Sequence, residues 1–318
     1  MNMTGEKYNS SSAKAGALNK YFASVFLPKP TTPLCFTSVS KLDQLDTITV
    51  TVEEVNALLC NLSTAKATGP DGISARLLKK CSGVLAPSLT ALFNMSLSLG
   101  KVPAEWKQAN VVPVPKSGDP HVISDYRPIS LLSLISKVLE HAIHVRVSAF
   151  VKPLLHDRQH GFRTGRSCIT QLLGVIHNVG KALDSGKETD MIYLDFSKAF
   201  DSVPHDKLLF KLHQFGISGI LLNWFSDYLK ERKQRVVIDG FSSTYLDVTS
   251  GVPQGSMIGP LLFLIYVNDL PESVNYSLVP MLADDSECFR SIDNSQDSTL
   301  LQSDINSLCL VVYLGLKI

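Results

Sequence analysis

Apolar residues recur at helical spacing in several stretches. Val55, Leu58, Leu59 and Leu62 form one face behind a Thr51/Glu54 capping pattern. A second helix is predicted over about 85–99, closed by Gly100. A third runs from Ser133 to about residue 151, with Leu134, Val138, Leu139, Ala142 and Ile143 inward. Further helices are predicted over 169–183, over 207–215 before Gly216, and over 221–229 around Leu222, Trp224 and Phe225. A short helix over 17–26 is ended by Pro28, Pro30 and Pro33, within a lead-in covering residues 1–50.

Strand patterns lie between these helices. Residues 109–114 are β-rich but contain Pro113, with Pro115 next, which predicts an edge strand. A turn over 116–119 and a return over 125–129 complete a hairpin that projects Lys116 and Arg127. Residues 191–194 form a continuous apolar strand with Asp195 at its end. Residues 234–238 and 245–248 flank an Asp239-Gly240 turn. Glycines 251 and 255 surround Gln254 ahead of a helix starting near Pro260. Strands over 278–282 and 288–292 enclose Asp284 and Asp285 at a hairpin tip.

Adjacent aspartates at a tip are usually solvated turn formers; the other reading is hard-oxygen ligands for Mg²⁺, which needs a carboxylate from another strand. Asp195 supplies one. Lys116 and Arg127 read either as solubilising charges or as a grip on a triphosphate. His160 reads as a structural hydrogen-bonding group, and both Asp201 and Asp206 as helix-start or turn carboxylates.

Composition adds bounds. The 318 residues are 45% hydrophobic with a net charge of +1, enough for a substantial core and no argument for a generic nucleic-acid glue. The charge is uneven: residues 101–166 hold ten Lys/Arg against five acids, and residues 269–304 hold eight acids with Arg290 alone. That asymmetry suits a polyanion groove beside a metal site, or an uneven solvated surface. Six scattered cysteines without a Cys-x-x-Cys pair predict reduced, mostly core thiols of an intracellular protein, with nucleus and cytoplasm undistinguished. The polar start lacks a secretory segment and no apolar run reaches membrane-spanning length, so a soluble protein without a membrane partner is expected.

Six blocks in order give the chain a resemblance: Ala-Thr-Gly-Pro-Asp-Gly at 67–72, Tyr-Arg-Pro-Ile-Ser at 126–130, Gln-His-Gly-Phe at 159–162, Tyr-Leu-Asp-Phe-Ser-Lys-Ala-Phe-Asp at 193–201, Ser-Gly-Val-Pro-Gln-Gly-Ser at 250–256 and Ala-Asp-Asp at 283–285. Over 51–304 the chain resembles the reverse transcriptase of non-LTR (LINE-type) retrotransposons, most like the jockey-like branch. The resemblance implies an α+β right-hand polymerase, its antiparallel palm sheet backed by helices. It implies a helical extension over 51–95 and a reverse transcriptase domain over 96–318, with fingers at about 96–165 and a partial palm at about 166–318.

The same resemblance implies RNA-directed DNA polymerisation. Asp195, Asp284 and Asp285 match the catalytic carboxylates, binding two Mg²⁺ (or Mn²⁺) ions with the backbone carbonyl of Phe196. Phe200 matches the steric gate against a ribose 2′-hydroxyl. Gln254 would contact the incoming nucleotide, and Lys116 and Arg127 its phosphates. The implied partners are an RNA template, a DNA primer and dNTPs, with the template held through phosphate and 2′-hydroxyl contacts.

The sequence departs from the family at Leu282, where an aromatic residue is usual, at Glu287, where a basic or neutral one is usual, and after about residue 308. That last departure implies a missing thumb and weak processive synthesis. The alternatives are a non-catalytic RNA-binding remnant and a metal-dependent phosphodiesterase, against which Gln254 beside a steric gate argues.

Overall fold

The computed structural model describes residues 8–28, 43–116, 118–119 and 121–314. In chain order the helices and strands are α1 (Ser11–Ser24), α2 (Val52–Cys60), α3 (Ala75–Lys80), α4 (Ser82–Leu99), β1 (Gln108–Pro115), β2 (Tyr126–Leu131), α5 (Leu134–Val151), α6 (Cys168–Asp184), β3 (Glu188–Asp195), α7 (His205–Gln214), α8 (Gly219–Leu229), β4 (Arg232–Ile238), β5 (Phe241–Ser242), β6 (Leu246–Val248), α9 (Gly259–Val267), β7 (Met281–Leu282), β8 (Asp285–Ile292) and α10 (Ser295–Leu314). They form two units: Met1–Phe150 with Phe200–Gly259, and Val151–Ala199 with Pro260–Ile318.

In the first unit a sheet runs in the order β2-β1-β4-β5, with β6 also on β4. It is mixed, because β1 pairs antiparallel with β2 and parallel with β4. The expected edge strand is therefore corrected: β1 lies between two neighbours. The prolines explain how it can. The β4 register covers only Gln108↔Lys233 to Val111↔Val236, so Pro113 and Pro115 lie beyond it, where one side of β1 is unpaired.

Helix α1 packs Ala15, Leu18 and Phe22 with Val111, Ile123 and Val236, so part of the lead-in contributes to this core. Thr51 Oγ1 accepts from the Glu54 N–H, which starts α2. Gly100, at φ 61°, ends α4 in the left-handed region. Helix α4 is long and apolar enough to cross a membrane by composition. It packs on α2 and α8, and buried Trp224 of α8 donates its indole N–H to Ser96 Oγ at 3.1 Å. Gly69 explains the 67–72 block, since a Cβ there would stand 2.6 Å from the Leu132 backbone.

In the second unit the antiparallel sheet is ordered β3-β8-β7. Met281 and Cys288 pack with Leu301, Leu308 and Val311 of α10, while Ile192, Leu194 and Phe196 close the same core. The expectation of mostly core thiols is corrected. Among the described cysteines Cys288 is buried, whereas Cys60, Cys168 and Cys309 are exposed on outer helix faces, without disulfides. Cys35, Pro30, Pro33 and Ser117 lie outside the described residues.

Candidate active site

The two-residue link between β7 and β8 is Ala283-Asp284, and Asp285 is the first residue of β8. Ala283 has φ 59°, the positive value that tight hairpin turns require at their first central position. Register then brings in the third carboxylate. Along β3 and β8 the partners are Asp195↔Asp285, Leu194↔Ser286, Tyr193↔Glu287 and Ile192↔Cys288.

Because side chains alternate, Ile192, Leu194 and Cys288 turn to the core, and Asp195, Asp285 and Glu287 share the opposite face. Directly opposed residues hold their Cβ atoms about 5 Å apart. Asp195 and Asp285 are exposed and have no ion-pair partner among the described residues, and Asp284 is half-buried. The Glu287 carboxyl is pushed above its ordinary range, first by burial and then by the charge of Asp285. Its Oε2 is buried without a hydrogen-bond partner.

The donor set is oxygen-only, the kind a hard divalent cation prefers. Register makes Asp195 and Asp285 neighbours, with Asp284 adjacent in the turn. No group of three or more His, Cys, Asp or Glu among the described residues converges closely enough to hold a metal by itself. The carboxylates are thus brought to one sheet end without forming a closed cage.

The nucleotide-directed candidates all belong to the first unit. Lys116 follows β1, its N–H donating to the Asp125 carbonyl at 2.7 Å, and Arg127 pairs with Val114 across the ribbon. Both side chains are exposed.

The 250–256 loop is bonded tightly to the segment after Phe200. The Val252 N–H donates to the Phe200 carbonyl at 2.7 Å, the Gly251 N–H to Val203 at 2.8 Å, and Ser250 Oγ to the Asp201 carbonyl at 2.8 Å. Gly251, at φ 86°, approaches so closely that a Cβ would lie 2.7 Å from Asp201 Cα. Gln254 donates its side-chain amide to Asp201 Oδ2 at 3.3 Å, and its backbone carbonyl accepts from the Ser130 N–H at 2.7 Å. His205, whose pKa burial lowers, meets the Gly251 carbonyl at 2.8 Å.

Three residues here escaped the sequence reading as site residues. Asp201 orients Gln254 as well as shaping a turn. Glu140, buried on α5, accepts from the Met257 N–H at 2.8 Å and from Ser136 Oγ at 3.0 Å, fixing the exit of the loop. A glutamate inside an otherwise apolar helix face was the available signal. Gln159, inside a quoted block, is the third. Asp206 stands in the first turn of α7, as expected. His160 Nδ1 hydrogen-bonds Thr170 Oγ1 at 2.8 Å, at the start of α6.

The matched blocks and this geometry define a class. The chain belongs to the reverse transcriptase (RNA-dependent DNA polymerase) family, whose model matches residues 114–303, a span holding every candidate site residue above.

Within that class it is similar to transposon-encoded enzymes of Drosophila melanogaster. It is 32% identical over 225 residues to the RNA-directed DNA polymerase from mobile element jockey, covering 70% of this chain and 24% of that protein. It is 34% identical over 222 residues to the probable RNA-directed DNA polymerase from transposon X-element (69% and 24%), and 32% identical over 228 residues to that from transposon BS (70% and 25%). The chain thus spans about a quarter of the length of these curated relatives.

Proposed function

We propose that this chain carries the RNA-directed DNA polymerase chemistry of a non-LTR retrotransposon, with fingers at about 96–165 and palm residues at about 166–318. The observation that carries the proposal is the β3–β8 register, which sets Asp195 against Asp285 next to the Asp284 turn.

Asp195 and Asp284, with the Phe196 carbonyl, would hold two Mg²⁺ (or Mn²⁺) ions that acidify the primer 3′-hydroxyl and stabilise the pyrophosphate leaving group. Asp285 adds negative charge beside them and orients the primer end. In the reaction the 3′-oxygen bonds to the α-phosphorus of a dNTP while the bond to the β-phosphate bridge breaks. Gln254, held by Asp201, contacts the incoming nucleotide. Phe200, anchored through its carbonyl to Val252, excludes a ribose 2′-hydroxyl. Lys116 and Arg127 bind the phosphates. RNA template and DNA primer are held through their backbones, which makes binding salt-dependent. An intracellular location follows from such partners.

Primer extension on an RNA template with Mg²⁺ and dNTPs tests this. Extension by the wild-type chain, lost in Asp195→Asn, supports it; equal extension by both refutes it. The uncompensated Glu287 beside the carboxylates favours a second reading, a non-catalytic RNA-binding remnant. RNA binding by both forms with extension by neither would select that reading.

A further inference from the structure

We infer that Gln159 is a positioning residue: its buried amide clamps the Ala283–Asp284 turn and so sets where the hairpin carboxylates stand. The inference rests on the polymerase reading for what those carboxylates do. The clamp itself is a matter of geometry within the second unit.

Gln159 is 1% exposed. Its Oε1 accepts from the Ala283 N–H at 2.9 Å and from the Gly161 N–H at 2.7 Å. Its Nε2 donates to the Ala283 carbonyl at 3.4 Å. One side chain thus serves both backbone polar groups of Ala283, the residue immediately before Asp284. Ala283 also needs holding. At φ 59° an L-residue is strained by roughly 1 kcal/mol, so the turn relaxes unless its surroundings fix it.

Neighbouring contacts make the clamp rigid. The Met281 N–H donates to the Arg158 carbonyl at 2.9 Å, and the His160 N–H donates to the Met281 carbonyl at 2.8 Å. Residues 158–160 thereby lie along β7 as a parallel bridge. Gly161 completes the fit, since a Cβ there would lie 2.2 Å from the Ala283 nitrogen. The loop is tied in turn to α6 through His160 and Thr170.

The side-chain chemistry is specific. The site asks for an acceptor with two free lone pairs and a donor on the same planar group, which an amide supplies. A carboxylate lacks the donor and adds charge beside Asp284. Methionine fills the volume but leaves two buried N–H groups unpaired.

The test is direct Mn²⁺ titration of the 318-residue chain by electron paramagnetic resonance, paired with amide hydrogen exchange. The expected result is wild-type Mn²⁺ binding that Asp195→Asn removes. Gln159→Met should then bind roughly tenfold more weakly, as loss of an outer support of a metal site does. Its Ala283 amide should lose protection while the Ile192 and Cys288 amides keep theirs. Leu308→Ala, which destabilises the same core from α10, should leave Mn²⁺ affinity unchanged, separating positioning from general destabilisation.

Undiminished Mn²⁺ binding by folded Gln159→Met would overturn the inference and leave the polymerase reading standing. Absence of carboxylate-dependent Mn²⁺ binding in the wild type would instead strike the polymerase reading itself. If Gln159→Met does not fold, Gly161→Ala displaces the same turn from the other side. Weakened Mn²⁺ binding by that variant supports the clamp, and unchanged binding overturns it.

Discussion

Acidic residues meet opposite treatment around Asp227 in the first unit and at the β3–β8 end of the second. In the first, Asp227 is half enclosed and bonded to Lys107 at 2.8 Å, to Lys101 at 2.9 Å and to the Val102 N–H at 2.9 Å. Burial alone would raise its pKa, but those donors outweigh burial and pull it down to about 2. Glu54 is likewise lowered, chiefly by its hydrogen bond from Arg146. In the second unit Glu287 is raised, and Asp195 and Asp285 face each other without an ion-pair partner among the described residues. Asp227 and Glu54 help hold the fold together, as Asp297 does through Arg290 at 2.6 Å in the second unit. The acids at the β3–β8 end are carried at a cost in stability, which a bound cation would relieve.

The sharpest way to break that comparison is Asp195→Asn. Nucleotide incorporation should fall by about a thousandfold or more, since several kcal/mol of charge stabilisation go with the carboxylate. Thermal stability should hold or rise, because a like-charge cross-strand pair has been removed. A clear fall in melting temperature would show that Asp195 is structural.

Next in size is Leu308→Ala. Leu308 is buried among Met281, Cys288 and Leu301, and its truncation should cost about 2–4 kcal/mol in denaturant titration. The loss should fall on the second unit and leave amide protection of the first unit intact.

The first unit supplies a pH signature. With its folded pKa depressed, Asp227 contributes stability that is fully present above the unfolded carboxylate range. That stability is lost as pH falls through its folded value near 2. Between about pH 4 and pH 2 the wild type should therefore lose roughly 1–2 kcal/mol that Asp227→Asn has already lost at neutral pH.

Smaller effects sharpen the contrast. Asp201→Ala releases the Gln254 amide and should raise the dNTP KM by about fivefold, near 1 kcal/mol, with kcat nearly unchanged. Glu287→Gln removes a raised carboxyl and should stabilise the second unit by roughly 0.5 kcal/mol in the absence of divalent cations. Destabilisation by that change would contradict the reading of Glu287 as uncompensated charge.

How much of this could be read from the chain depended on the range of the interactions. Helix α4 ends at Gly100 as its pattern and C-terminal glycine imply, and α5 buries the five residues its spacing selects. These outcomes rest on local periodicity and capping, which a sequence carries openly. The parallel pairing of β1 with β4 joins strands more than a hundred residues apart, and no local pattern encodes it. The same holds for the site. The hairpin tip and the strand-ending Asp195 were legible as chemistry, but their opposition is a fact of register. Asp201 read as a turn former because its partner, Gln254, lies far along the chain. Gln159 was visible as part of a block, yet its task needs the backbone of Ala283 in view.

Everything proposed for this site requires that these carboxylates share a cation. Crystals soaked in Mn²⁺ should give anomalous peaks within roughly 2.5 Å of oxygens from both Asp195 and the Asp284–Asp285 pair. Peaks bound to one strand only, or none at this sheet end, would contradict it.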